Sequence, residues 1–292
     1  MLKDNIKTFY TKNYKILMFI PITITIIALI LIGIQYKNTG EFFKKDITLR
    51  GGISATIITD AQFTEEQIKN SIGVESTVRK VSDLRTGKAT GYIMEVSDIT
   101  SEELKNSLET KLNLKLTGDN FSIEETGAKL GEAFYKQLVI ALIFAFLLMG
   151  TAIFVTFRTP IPSLAVISAA FMDIVITLAV VNLLGLEIST AGITGFLLVI
   201  GYSVDTDILL TTWSIRKKEG FLFDRMYHSM KTGLTMTLAA ISVMLIGLVV
   251  SNSSVIKEMF TIIFIALLID IFATYFTNTG ILWSYCKKKG IT

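Results

Sequence analysis

Four aspartates, Asp173, Asp205, Asp207 and Asp270, stand inside apolar stretches whose cores hold no lysine or arginine. An ionised carboxylate in hydrocarbon is costly by several kcal/mol unless it finds a proton or a cation. No basic side chain of the chain falls at that depth. A bound proton, a metal ion or a neighbouring subunit remains, and each is a functional role. The bland alternative for any one of them is a neutral, hydrogen-bonded packing residue, which four together without a counter-cation disfavour. Asp205 and Asp207 are two positions apart, so they project ~200° from one another on a helix. That spacing argues against a two-carboxylate metal clamp within one helix, and no metal or other cofactor is expected. Sodium would need several converging oxygens, whereas a carboxyl opened to each side of a membrane in turn suits a proton.

Polar companions surround these aspartates: Ser203, Thr206, Thr211 and Thr212 in one stretch, Thr177 in another, and Thr274, Thr277 and Asn278 in a third. Their hydroxyls and amide can hydrogen-bond either form of a carboxyl and relay protons. Gly192, Gly195 and Gly201, with Ser168, Ala169 and Ala170, would let the helices carrying them approach closely. A polar seam among three helices is therefore expected, built from the third, fourth and sixth apolar segments.

The elements that must hold this seam are membrane spans. The chain of 292 residues is 51% hydrophobic, with a mean hydropathy of +0.57, which places it in the membrane class. Apolar runs at 16–34, 138–157, 161–184, 189–213, 233–250 and 259–283 each approach the ~20 residues that a helix needs to cross a bilayer. Basic residues gather before the first run (Lys3, Lys7, Lys12, Lys15), after the second (Arg158), in the loop 214–232 (Arg216, Lys217, Lys218, Arg225, Lys231) and after the sixth (Lys287, Lys288, Lys289). By the positive-inside rule these regions, and with them residues 1–15 and 287–292, are expected to be cytoplasmic, and residues 35–136 extracytoplasmic. The first run lacks a small-residue cleavage site and reads as a retained anchor. A five-span bundle over 137–286 completes the expected layout. Phe221, Phe223, Met226 and Met230 among basic residues predict an amphipathic helix lying on the membrane surface, and Trp283 and Tyr285 predict an interfacial anchor.

Residues 41–129 alternate between strand and helix signals. Strands are expected at 54–59, 75–82, 91–97 and 121–126, with a polar turn at Thr86-Gly87-Lys88. Thr64-Glu65-Glu66-Gln67 reads as a capping box, and Ser101-Glu102-Glu103-Leu104 opens a helix with Leu104, Leu108 and Leu112 on one face. The order β-α-β-β-α-β is that of a ferredoxin-like unit. Arg79 and Lys80 are expected to be balanced by Asp83 and Glu75. With a single cysteine, Cys286, the domain has no disulfide framework. It offers no nucleophile–base pair, so no catalytic residue is expected; strand addition at a sheet edge would let it hold an extended polypeptide.

The stretch Gly201-Tyr202-Ser203-Val204-Asp205-Thr206-Asp207-Ile208-Leu209-Leu210-Thr211-Thr212 closely resembles the fourth-helix signature of the archaeal SecF proteins of the SecD/SecF protein-export family, within the RND superfamily. The layout, the Arg158-Thr159-Pro160 turn and Gly51-Gly52 are similar too, although Leu49-Arg50 stands where the family more often has Phe-Thr. The resemblance covers essentially the whole chain. It implies an accessory subunit of the Sec machinery with no reaction of its own. Its implied partners are a SecD-like subunit, the Sec translocation channel, exported unfolded polypeptides and the lipid bilayer, with no nucleic acid. Bacterial relatives draw on membrane potential or proton flow, and by analogy the coupling carboxylate here is Asp205 or Asp207, with Asp173 and Asp270 as further candidates. Trp213 replaces the arginine that usually ends this helix, so Arg216 is expected to take over its anchoring. The competing reading is a self-sufficient RND-type proton-coupled transporter of small molecules or lipids, which usually contains two related halves where this chain has one.

Overall fold

The computed structural model describes residues 2–74, 76–82, 89–97, 99–217, 220–251 and 253–291. In chain order its elements are α1 (Leu2–Thr39), α2 (Ile47–Arg50), β1 (Gly52–Ile58), α3 (Glu65–Ile72), β2 (Ser76–Ser82), β3 (Ala89–Val96), α4 (Ser101–Leu112), β4 (Phe121–Thr126), α5 (Ala128–Phe157), α6 (Pro160–Leu183), α7 (Thr190–Ile215), α8 (Leu222–Val250) and α9 (Ser254–Phe272). A π-helical segment, Ala273–Asn278, then leads without a break into α10 (Thr279–Lys288). The chain divides into two compact units, one of residues 1–44, 140–187 and 191–292, the other of residues 45–139 and 188–190.

The first unit is the membrane bundle. Six helical stretches are long and apolar enough to span. Their outer faces carry large apolar side chains, such as Phe144 at 61% and Leu148 at 68% exposure. In water that arrangement would be untenable, but in hydrocarbon these faces meet their own kind. Between the helices the contacts use small residues. Ala28 of α1 packs with Ala169 and Ala179 of α6 and Ala273 of the π segment, while Ala266 of α9 meets Val199 of α7 and Met244 of α8. Arg158 closes the α5–α6 turn with a positive φ of 51°, and Pro160 opens α6 at its first position, where its missing N–H is not needed.

The helices outrun the apolar runs that predicted them. The largest difference lies in 214–232: α7 continues to Ile215 and α8 already begins at Leu222, so no separate surface helix forms there. The amphipathic pattern belongs to the first turns of the fifth span. Leu222 and Met226 bury against Leu210, Leu282 and Cys286 of the bundle, and no helix breaker interrupts the run to Val250. Lys218 lies outside the described residues. Trp283 meets the rings of Tyr10, Tyr14 and Phe223 at 6.2, 6.5 and 6.5 Å.

The second unit is a ferredoxin-like α+β domain. Its antiparallel sheet has the order β2-β3-β1-β4. Ile53, Ala55 and Ile57 of β1 alternate inward onto Ile68, Leu104 and Leu108 of the two helices. Both helices begin with complete capping boxes, Thr64 with Gln67 and Thr100 with Glu103. The bonds from the Thr100 backbone and hydroxyl hold the Glu103 carboxyl below the usual glutamate range. The glycine pair has a steric cause: Gly52 sits at φ 141°, and a Cβ there would lie 2.7 Å from the Val96 carbonyl. Arg79 reaches Glu95 on the neighbouring strand at 3.4 Å, while the expected partners are Asp83 and Glu75. Those two residues and the turn at 86–88 lie outside the described residues.

Leu104 is fully buried, so Leu104→Ala should destabilise this unit by about 2–5 kcal/mol. Thr64→Ala, which removes a cap, should cost about 1 kcal/mol. Amide hydrogen exchange of the full-length protein would show loss of protection across the sheet for the first and mainly along α3 for the second.

Candidate functional site

The polar seam forms where α6, α7, α9 and the π segment meet. Asp173 comes from the middle of α6, Ser203, Thr206 and Asp207 from α7, Asp270 from the end of α9, and Thr274 and Asn278 from the π segment. The three aspartates are 0–1% exposed. Small residues make the approach possible, with Ala169 and Ala170 flanking Asp173 and Ala273 beside Asp270. Thr274 and Asn278, four residues apart, fall on one face of the π segment. Both donate to the same oxygen, Asp207 Oδ1, at 2.9 and 2.6 Å.

Donors are scarcer than acceptors in this cluster. Ser203 Oγ donates to Asp173 Oδ2 at 2.5 Å. The single hydroxyl proton of Thr274 faces both Asp207 Oδ1 and Asp270 Oδ1, the latter at 3.0 Å. Thr206 Oγ1 lies 3.3 Å from Asp270 Oδ2 and 2.8 Å from the Ser203 carbonyl, which can only accept. Asp173 Oδ1 and Asp207 Oδ2 are buried with no hydrogen-bond partner among the described residues. Among the described residues no basic side chain forms an ion pair with Asp173, Asp207 or Asp270. The arrangement can therefore take up and release protons, and its hydroxyls can switch acceptors as it does so.

Of the residues singled out from the sequence, Asp173, Asp207, Asp270, Ser203 and Thr206 converge here. Asp205 does not: it is exposed on the opposite face of α7, as the two-residue offset requires. Gly201 and Tyr202 share that outer side, and a Cβ on Gly201 would meet nothing within 4 Å, so this glycine is not a close-packing position within the chain. Thr211 is fully buried one turn beyond Asp207, its hydroxyl unpartnered among the described residues. Arg216 anchors elsewhere, donating to the Thr156 carbonyl and lying 5.5 Å from the Phe157 ring. Arg216 thereby links the end of α7 to α5.

Two contributors carried no signal that periodicity could find. The Tyr275 ring, next in the chain to Thr274, is buried on the π segment. Gly233 of α8 makes room for it, since a Cβ there would lie 2.2 Å from the Tyr275 hydroxyl and 3.5 Å from Cζ. A glycine inside a helical apolar run was the only hint.

Fold and site together define a multi-pass membrane protein whose bundle encloses a carboxylate cluster and whose first two spans are separated by a ferredoxin-like domain. Residues 107–288 match the family described as protein export membrane protein SecD/SecF, C-terminal. The chain is 31% identical to the protein-export membrane protein SecF of Pyrococcus furiosus, covering 99% of this chain and 97% of that one. It is 34% identical to the SecF of Methanocaldococcus jannaschii, covering 95% and 97%. The chain belongs to the SecF branch of the SecD/SecF family. Its fold is also that of the crystal structure of SecDF from Thermus thermophilus, a translocon-associated membrane protein, with a TM-score of 0.71 at 17% identity. That likeness covers 95% of this chain and 38% of the SecDF chain.

Gly233→Ala should push the Tyr275 ring out of place and lower stability by about 1–3 kcal/mol, the usual cost of overpacking. Adding Tyr275→Phe should recover most of that loss, because only the hydroxyl is in collision. Thermal unfolding of the three variants in mild detergent measures the coupling.

Proposed function

We propose that this chain is an accessory subunit of the Sec protein-translocation machinery, acting with a SecD-like subunit beside the Sec channel to promote export of unfolded polypeptides. It has no chemical reaction of its own. Cation exchange at the buried carboxylates, with the proton as the favoured ion, moves the bundle, and the ferredoxin-like domain on the outer side holds emerging chains. The names of the full-length relatives support the export role. Coverage of about two fifths of SecDF supports a partner that supplies the remainder. The basic flanks support cytoplasmic termini and an extracytoplasmic domain.

The observation that carries the coupling is the shortage of donors around Asp207 and Asp270. Thr274 has one proton for two carboxylates, so a change in their protonation must reorganise contacts between α7 and the π segment. Asp207 is the proposed coupling carboxylate, with Asp270, which faces the same Thr274 hydroxyl, and Asp173 as further proton sites. Asp205, turned outward on α7, is assigned to contact with the SecD-like partner.

Affinity purification from native membranes should recover a SecD-like protein with the wild-type chain. Asp207→Asn should keep that partner and lose the stimulation of export into membrane vesicles at least tenfold, since its amide cannot release a proton. Asp205→Ala should instead weaken partner recovery. A wild-type particle containing only this chain would remove the subunit reading, and full export activity in Asp207→Asn would remove the coupling role.

A further inference from the structure

Between α1, the start of α8 and the π segment lies a cleft of about 190 Å³ that the carboxylate cluster does not use. Its wall is almost wholly apolar, with Leu17, Phe223, Met230 and Thr279 among its residues, together with two tyrosines, Tyr10 and Tyr275. The hydroxyls of both tyrosines are buried and unpartnered among the described residues, and Tyr275 as a whole is 7% exposed. At one end stands a cation. The Lys7 ammonium lies 5.7 Å from the Phe221 ring centroid and 6.0 Å from that of Phe223, the latter part of the wall. Lys12 and Lys15 are exposed on the same helix.

We propose that this cleft is a binding site for an anionic phospholipid. One acyl chain lies along the apolar wall, and the phosphate sits at Lys7 within reach of the Tyr10 hydroxyl. The walls belong to membrane-spanning helices, so the surrounding medium is lipid. A basic rim over an apolar slot matches the two ends of such a molecule. The volume suits a segment of one chain and excludes a whole lipid. A polypeptide segment would leave the rim cation without its counter-charge. Tyr275 lines the cleft and follows Thr274, which donates to Asp207 and Asp270, so occupancy would bear on the packing of the seam.

Trp283 reports on this site because its ring touches Tyr10 and Phe223, and the chain has only one other tryptophan, Trp213. The test places the full-length Trp213→Phe protein in phosphatidylcholine bilayers containing a small fraction of phosphatidylglycerol brominated along its chains. Quenching of Trp283 should exceed that given by the same fraction of brominated phosphatidylcholine. Lys7→Gln should weaken the apparent affinity for the anionic probe by about fivefold. Met230→Phe, which fills the slot and leaves Lys7 in place, should abolish the excess while thermal unfolding stays unchanged. Equal quenching by the two lipids would overturn the proposal, as would an excess that survives both substitutions. An excess lost once a SecD-like partner is co-purified would give the cleft to that partner and overturn it equally.

Discussion

Three carboxylates buried in a low-dielectric bundle without a basic side chain set the terms for the rest of the membrane unit. Burial of a charge is tolerable only when it is paired or neutralised. On the proposed reading the bundle neutralises with protons, and its hydroxyls stand where they can distribute them. Ser203, Thr206 and Thr274 each bring one proton, and Thr206 and Thr274 each face two acceptors. A cluster of this kind cannot be satisfied in one fixed way. Its hydrogen bonds are tied to its proton content, which is the physical requirement for coupling ion movement to helix movement.

Several features of the bundle follow from that requirement. Polar side chains as short as aspartate and serine meet only if backbones approach closely, and the alanines on α6 and the π segment permit it. Two donors four residues apart reach one oxygen of Asp207 at the level where the sixth span takes a π turn. π turns recur at functional sites for this reason: they re-aim side chains at the cost of weaker backbone bonding. Gly233 is the matching concession on α8, where the absent Cβ leaves room for the Tyr275 hydroxyl.

The ferredoxin-like domain obeys the ordinary rules of proteins in water. Its core is an alternating sheet face covered by two capped helices, and it contains no cysteine. Its local signals agree with one another, the condition under which a sequence specifies a single fold. The bundle is different, because almost every outward residue is apolar and the pattern that marks a buried face in water disappears.

That contrast decides what the sequence by itself determined. Composition and length marked the spans, and period-two and capping signals marked the β-α-β-β-α-β order with β4 in its full extent. The spacing of Asp205 and Asp207 required them to face apart. Which of the two points inward was a tertiary decision, since periodicity gives the angle between residues and not the rotation of the helix against its neighbours. Tertiary contacts alone also sent Arg216 to the Thr156 carbonyl and drew 222–232 into the fifth span, because apolar partners at Leu210, Leu282 and Cys286 were waiting there. The π turn was equally illegible, since no residue preference announces it.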